Sequence, residues 1–245
     1  MKKNNVNEIA GINYYVSSVI DGSVGFKNET PKEEIIRNRK AISDKCHFGI
    51  DQIVSMQQAH TSYHFCVRNN DIGSGAKEWA SGITNTDAIV TSEQGAVLLA
   101  ISADCPLVLI ANRSARAFAV VHSGWRGTVK GIVPNVLMAM DEVYKCNHDD
   151  TEIVLAPMAG KCCYEIQDDL CSQFLENFPR DVIVHNQDCL FLDLNKTIRY
   201  QVQRANINMT KIHDFEECTI CNPDYYSYRR DGISAGRFGL FAWMN

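Results

Sequence analysis

No stretch of this chain approaches the ~18 consecutive apolar residues that a membrane-crossing helix requires, so no membrane partner is expected. Its opening, MKKNNVNEIAGINYYV, starts basic but lacks the roughly 7–15-residue apolar stretch of a secretory signal. Basic charge is not in excess either: 24 Lys and Arg face 29 Asp and Glu, for a net charge of −5. That balance argues against nucleic acid as a partner, because such proteins carry a basic field, while leaving room for a local basic pocket. There is no low-complexity tract, no linker rich in Pro, Gly or Ser, and no short repeat. No G-x-G-x-x-G follows a first strand, which removes the dinucleotide-binding doubly wound fold. Seven histidines include no H-x-H pair, and a multicopper oxidase needs several such clusters.

What the chain does hold is cysteine. Ten thiols in 245 residues, about 4%, fall below the density of a disulfide scaffold. With no export signal they imply a reducing cytoplasm, where they stay free as core residues, metal ligands or nucleophiles. Hydrophobic residues at 45% and charged residues at 22% suit an ordinary globule. A chain of this length buries enough core to fold without a staple, and a single domain over residues 1–245 is expected.

The apolar pattern gives the elements. Residues 30–48 read as a helix, with Thr30 placed to cap and Pro31 in the first turn. DQIVSMQQAH (51–60) reads as a strand running into a polar tip, and AVLLAISADCPLVLIA (96–111) as two strands broken at Asp104–Pro106. NRSAR is a turn and AFAVVH (117–122) another buried strand. Helical spacing runs from Gly127 to about Tyr144. TEIVLAP, CLFLDL and the terminal GRFGLFAWM read as strands, DDLCSQFLENF and NKTIRYQVQRANI as helices. Strands adjacent in sequence, mixed with helices, predict an α/β (α+β) fold with mixed sheets and outer helices.

Three strands are predicted to end on a metal-capable residue: QQAH at His60, ADC at Cys105 and VVH at His122. If those tips meet, two imidazoles and a thiolate make a zinc site whose fourth position is open, the arrangement of catalytic zinc. The competing reading is a core cysteine and two unrelated histidines. Arg126, four residues past His122 at a helix start, suits an oxyanion or phosphate; alternatively it pairs with a surface carboxylate. Asp104 either orients a histidine ligand and handles a proton, or bonds local backbone. Tyr228 and Arg230, within YYSYRRDG, suit a planar base beside an anion, or a structural Arg–Asp network. Cys218 and Cys221 have C-x-x-C spacing and, with Cys162 and Cys163, make a candidate second, structural zinc site; buried free thiols are the competing reading.

QQAH, SADCPLVLIA, VVHSGWRGTVKGI, CCYEI and CTICNPDYYSYRRDGISAGRFGLFAWM, in this order from about residue 53 to the C-terminus, resemble the laccase-domain family. Its members have been called multicopper polyphenol oxidase-like proteins, purine nucleoside phosphorylases and the peptidoglycan editing factor. The resemblance implies a central sandwich of mixed sheets flanked by helices. It implies one zinc ion, rather than copper, held by His60, Cys105 and His122. It also implies phosphorolysis of adenosine, inosine, guanosine and methylthioadenosine, together with adenosine deamination. One departure stands out. Where relatives carry S-T-R-x-G-G-V-S with an arginine facing the pocket, residues 17–29 read SSVIDGSVGFKNE, and Lys27 is the one basic residue there.

Two other activities compete. A cysteine hydrolase would use Cys105 as nucleophile and His122 or His60 as base, as an editor of peptidoglycan precursors would. Copper-dependent polyphenol oxidation is disfavoured by the missing H-x-H pairs.

Overall fold

The computed structural model describes residues 5–26 and 29–244, so Lys27 lies outside the described residues. Two sheets form the centre. The first contains, in spatial order, β1 (Asn7–Ile9), β2 (Ile12–Val16), β14 (Phe238–Trp243), β6 (Val97–Ser102) and β3 (Ile53–Ser55). The second runs β13 (Ile212–Asp214), β9 (Thr151–Leu155), β7 (Leu107–Asn112), β8 (Ala117–His122), β5 (Ala88–Thr91) and β4 (His64–Cys66). Neighbours are antiparallel, except for the edge strands β3, β4 and β13, which pair in parallel. A small antiparallel sheet of β10 (Glu165–Ile166), β12 (Cys189–Leu192) and β11 (Ile183–Asn186) lies apart. The helices are α1 (Lys32–Cys46), α2 (Trp125–Val129), α3 (Ile132–Tyr144), α4 (Asp168–Leu175), α5 (Leu194–Arg204) and α6 (Tyr228–Asp231).

The period-2 geometry of a strand explains the layers. In β6, Leu98 and Ala100 face the space between the sheets, where Leu107, Leu109, Phe118 and Val120 meet them. The alternate residues Val97 and Leu99 point the other way, to Ile42 and Cys46 of α1. In β8, Ala117, Ala119 and Val121 face outward and are covered by α3, α4 and α5. Both faces of each central strand are therefore buried, which is why these strands read as unbroken apolar runs. The result is the predicted sandwich of mixed sheets flanked by helices.

Several local expectations are revised. The cap of α1 is Pro31, whose carbonyl accepts from Glu34 and Ile35, and not Thr30. The helical stretch after Gly127 is two helices, broken where Gly131 turns left-handed at φ 74°. Strand β6 ends at Ser102, so Cys105 sits in the corner that carries the chain from the first sheet to the second, and not on a strand tip. His60 likewise lies in a turn five residues beyond β3, at φ 58°.

Candidate metal centre

His60, Cys105 and His122 converge at one end of the seam between the two sheets. His122 closes β8, opposite Leu107 at the start of β7, so Cys105 is two residues from its level. His60 arrives from the first sheet. Its loop is laid along β6 by the Gln58 side chain, whose amide accepts from Ile101 N at 2.9 Å and donates to Ile101 O at 2.8 Å. The three ligand atoms lie within 4.8 Å of one another, with Cys105 Sγ 4.0 Å from His60 Nε2. The two imidazole rings are 4.9 Å apart and nearly perpendicular, at 83°.

Asp87, the residue before β5, organises this cluster. Its buried carboxylate meets His122 Nδ1 at 2.8 Å and accepts from the backbone of Ala59, His60 and Thr61 and from the Thr61 hydroxyl. One side chain thus turns His122 Nε2 toward the cluster and fixes the loop that carries His60. Carboxylate–histidine pairs of this kind set the tautomer and ring orientation of metal-bound histidines. Burial opposes ionisation of Asp87, but the His122 contact and the Thr61 donors overcome it and draw the carboxyl down to about 2. Burial also disfavours charge on Cys105 and His122. The contact with His122, helped by His60, reverses this for the thiol, and the Asp87 contact, helped by Cys105, reverses it for the imidazole, so Cys105 falls to about 6 and His122 rises to about 9.

The glycines of the HSGWRG turn have specific work. A Cβ on Gly124 would stand 2.9 Å from the His60 ring, 3.3 Å from Cys105 Sγ and 3.5 Å from the His122 ring. A Cβ on Gly127 would meet the Thr61 carbonyl at 2.7 Å. The turn therefore lies directly against the three side chains, and only a hydrogen fits. Two imidazoles and a thiolate in a bare cradle of this size suit a tetrahedral zinc ion with one position left over.

The cluster forms the floor of a cleft of ≈ 370 Å³, whose walls include Met56, Trp79, Ser102, Tyr228 and Arg237. Tyr228 and Trp79 are partly exposed aromatics. Arg237 packs against Gly25. Its Nη1 donates to the Ala235 and Gly236 carbonyls, and its Nε and Nη2 make no hydrogen bond among the described residues. Burial lowers the pKa of Arg237, against the pull of Cys105 and Asp104.

The remaining sequence candidates sit elsewhere. Asp104, at φ 100°, hydrogen-bonds no histidine among the described residues. Its carboxylate accepts from the Thr219 hydroxyl at 2.7 Å and from Arg229 N at 2.7 Å, which pins the corner carrying Cys105. Arg126 is exposed, lies over its neighbour Trp125 at 4.1 Å, and does not line the cleft. Arg230 is occupied by Asp231 and by the carbonyls of Thr219, Ile220 and Tyr225, the structural network of the two readings offered for it. Sequence reasoning missed Asp87, Arg237 and Trp79. An acid placed immediately before the apolar run Ala88–Val90 was the available signal for Asp87.

Comparison with known proteins closes the question of kinship. A family model described as multi-copper polyphenol oxidoreductase laccase matches residues 18–245. The chain belongs to this family. A purine nucleoside phosphorylase of Clostridium acetobutylicum is 32% identical over 196 residues, 79% of this chain and 78% of that protein. Mouse purine nucleoside phosphorylase LACC1 is 28% identical over 215 residues, 86% of this chain, but the match spans only 47% of that longer protein. The crystal structure of YlmD from Geobacillus stearothermophilus superposes with a TM-score of 0.89 at 24% identity, covering 96% of this chain and 93% of that one. The Bacillus licheniformis protein YfiH gives 0.90 at 22% identity, with the same coverage. These two structural likenesses speak to fold alone.

Proposed function

We propose that this laccase-family chain is a zinc-dependent purine nucleoside phosphorylase whose active site is the cleft above His60, Cys105 and His122. The observation that carries the reading is the placement of that convergent donor set on the floor of a cleft with aromatic walls and a cationic side chain. His60, Cys105 and His122 would hold the ion, oriented by Asp87. When bound, zinc supplies a Lewis acid that polarises an oxygen or nitrogen of the substrate.

The chain's own residues supply binding. Trp79 and Tyr228 offer π-faces for a purine base. Arg237 offers two unengaged N–H directions to a phosphate dianion, replacing the arginine absent from residues 17–29. In phosphorolysis an oxygen of hydrogen phosphate bonds to C1′ of the ribose as the glycosidic bond breaks, and the base leaves with the bonding pair and gains the proton that the phosphate gives up. No carboxylate lines the cleft among the described residues. A zinc deaminase uses a glutamate there as proton carrier, so phosphorolysis is favoured over adenosine deamination. The names of the relatives support the same choice.

The test is incubation of the purified chain with inosine and adenosine, with and without phosphate, following free base and ammonia. Release of base that requires phosphate is expected. Ammonia formed without phosphate would move the activity to deamination, and no product in either arm would overturn the reading.

A second reading rests on one observation: Cys105, His122 and Asp87 stand in the order nucleophile, base, orienting acid, with the thiol drawn down to about 6. A cysteine hydrolase acting on peptidoglycan precursors would use that array. Thiol alkylation separates the two. A zinc-held thiolate reacts only after chelation, whereas a free nucleophile reacts at once.

A further inference from the structure

We propose that Cys162, Cys163, Cys218 and Cys221 form a second metal site, a tetrathiolate clasp for a single zinc ion, separate from the cleft. The four sulfurs come from two turns far apart in sequence and lie within 4.8 Å of one another. Cys221 Sγ is 3.5 Å from Cys162 Sγ and 3.1 Å from Cys163 Sγ, and all four thiols are free. Around zinc, bonds of ~2.3 Å put the sulfurs of a tetrahedron about 3.8 Å apart, so the observed spacing needs only small adjustment.

Packing does not explain the cluster. A free cysteine ordinarily serves as a small buried hydrophobe, as Cys46, Cys146 and Cys171 do here. Cys162 and Cys221 are exposed, and Cys163 and Cys218 are half-buried. The four gather at the surface against each other.

The surrounding backbone is shaped for sulfur. Gly160 N donates to Cys218 Sγ at 3.2 Å, the type of bond that supports a metal-bound thiolate. A Cβ on Gly160 would stand 3.2 Å from both Cys162 Sγ and Cys218 Sγ, so this glycine lies against the cluster as Gly124 lies against the other one. The two turns are docked by Met158 N on Glu217 O at 3.2 Å and Thr219 N on Met158 O at 3.0 Å, and the C-x-x-C turn is closed by Asn222 N on Cys218 O at 2.9 Å. A soft, all-sulfur, tetrahedral donor set selects zinc among the common divalent ions, and four thiolates leave no position open for substrate. The clasp is structural. It fixes the 217–222 loop, whose Thr219 holds Asp104 beside Cys105.

The experiment uses the full chain, expressed with zinc and purified without chelator, and counts metal by elemental analysis. Two ions per chain are expected in the wild type. One is expected in the H60A/H122A variant, which leaves the four cysteines intact, and one in the C218S/C221S variant. Cobalt exchanged into H60A/H122A should give the intense sulfur-to-metal absorption and tetrahedral spectrum of an all-thiolate site. If C218S/C221S fails to fold, the H60A/H122A protein alone decides. Absence of metal from H60A/H122A, or a Cys163–Cys221 disulfide found in the freshly purified chain, would overturn the clasp.

Discussion

At the scale of single residues, the geometry of the His60–Cys105–His122 cluster depends on Asp87 and Gly124. Asp87 holds both His122 and the His60 loop. Asp87→Asn keeps the shape but loses the charge, and metal affinity should fall by roughly 10–100-fold, the usual effect of removing a carboxylate behind a histidine ligand. Competition with a zinc indicator measures it. The same substitution should change acid stability. The folded pKa of about 2 lies below the ~3.9 of an unfolded aspartate. The stabilisation is therefore present above about pH 4 and lost as pH falls toward 2. Urea midpoints across that window should slope less in the variant, and an unchanged slope would remove Asp87 from the account. Gly124→Ala puts a methyl carbon 2.9 Å from the His60 ring. It should displace that ring and abolish stoichiometric metal binding while far-UV circular dichroism stays native; a variant that keeps its metal would contradict the cradle.

At the scale of elements, α1 is fastened to the loops at Val24 and Gly75–Ala76 by a buried arginine. Arg39 is fully buried with no carboxylate partner among the described residues. Its guanidinium donates to the carbonyls of Val24, Gly75 and Ala76 and stacks on Phe26 at 4.4 Å. Burial lowers its pKa to about 9. Arg39→Met fills the space but leaves the Val24 and Ala76 carbonyls without donors, while the Gly75 carbonyl keeps Ser55 Oγ, at ~1–3 kcal/mol for each buried group left unsatisfied. A loss on the order of 3 kcal/mol is expected in denaturant melts. The elements themselves were legible where a run was long. β6, β7, β8 and β14 announce themselves as apolar runs, and α3 and α5 as helical periods. Three-residue strands such as β3, β4 and β13 are too short to show a period of two. Nor could the pattern assign β6 and β7 to different sheets, because both are buried on both faces and nothing in their composition differs. The three metal-capable residues were legible because chemistry limits the choice to His and Cys at the ends of apolar runs. Asp87 was not, because its partner His122 is 35 residues away and only the β5–β8 pairing brings them together.

For the whole molecule, the proposed metal site at His60, Cys105 and His122 would join the two halves of the sandwich. His60 belongs to a loop leaving the first sheet, His122 ends a strand of the second, and Cys105 sits in the corner between them. An ion bound to all three would add a link between the sheets at that end, beside the hydrogen bonds of Asp87 to the His60 loop. Ligand binding stabilises the folded state by about 2.7 kcal/mol at a free concentration of 100 times Kd. For a chain of this size each kcal/mol shifts Tm by roughly 2–4 °C, so zinc at that excess should raise Tm by roughly 5–10 °C over the chelated protein. The comparison is best made in the C218S/C221S background, where the cysteine clasp contributes nothing. There, His122→Ala should erase the zinc dependence of Tm, because His60 and Cys105 alone no longer tie an ion to strand β8 of the second sheet. A zinc-dependent Tm that survives His122→Ala in that background would mean that the ion stabilises the fold from somewhere other than the seam between the sheets.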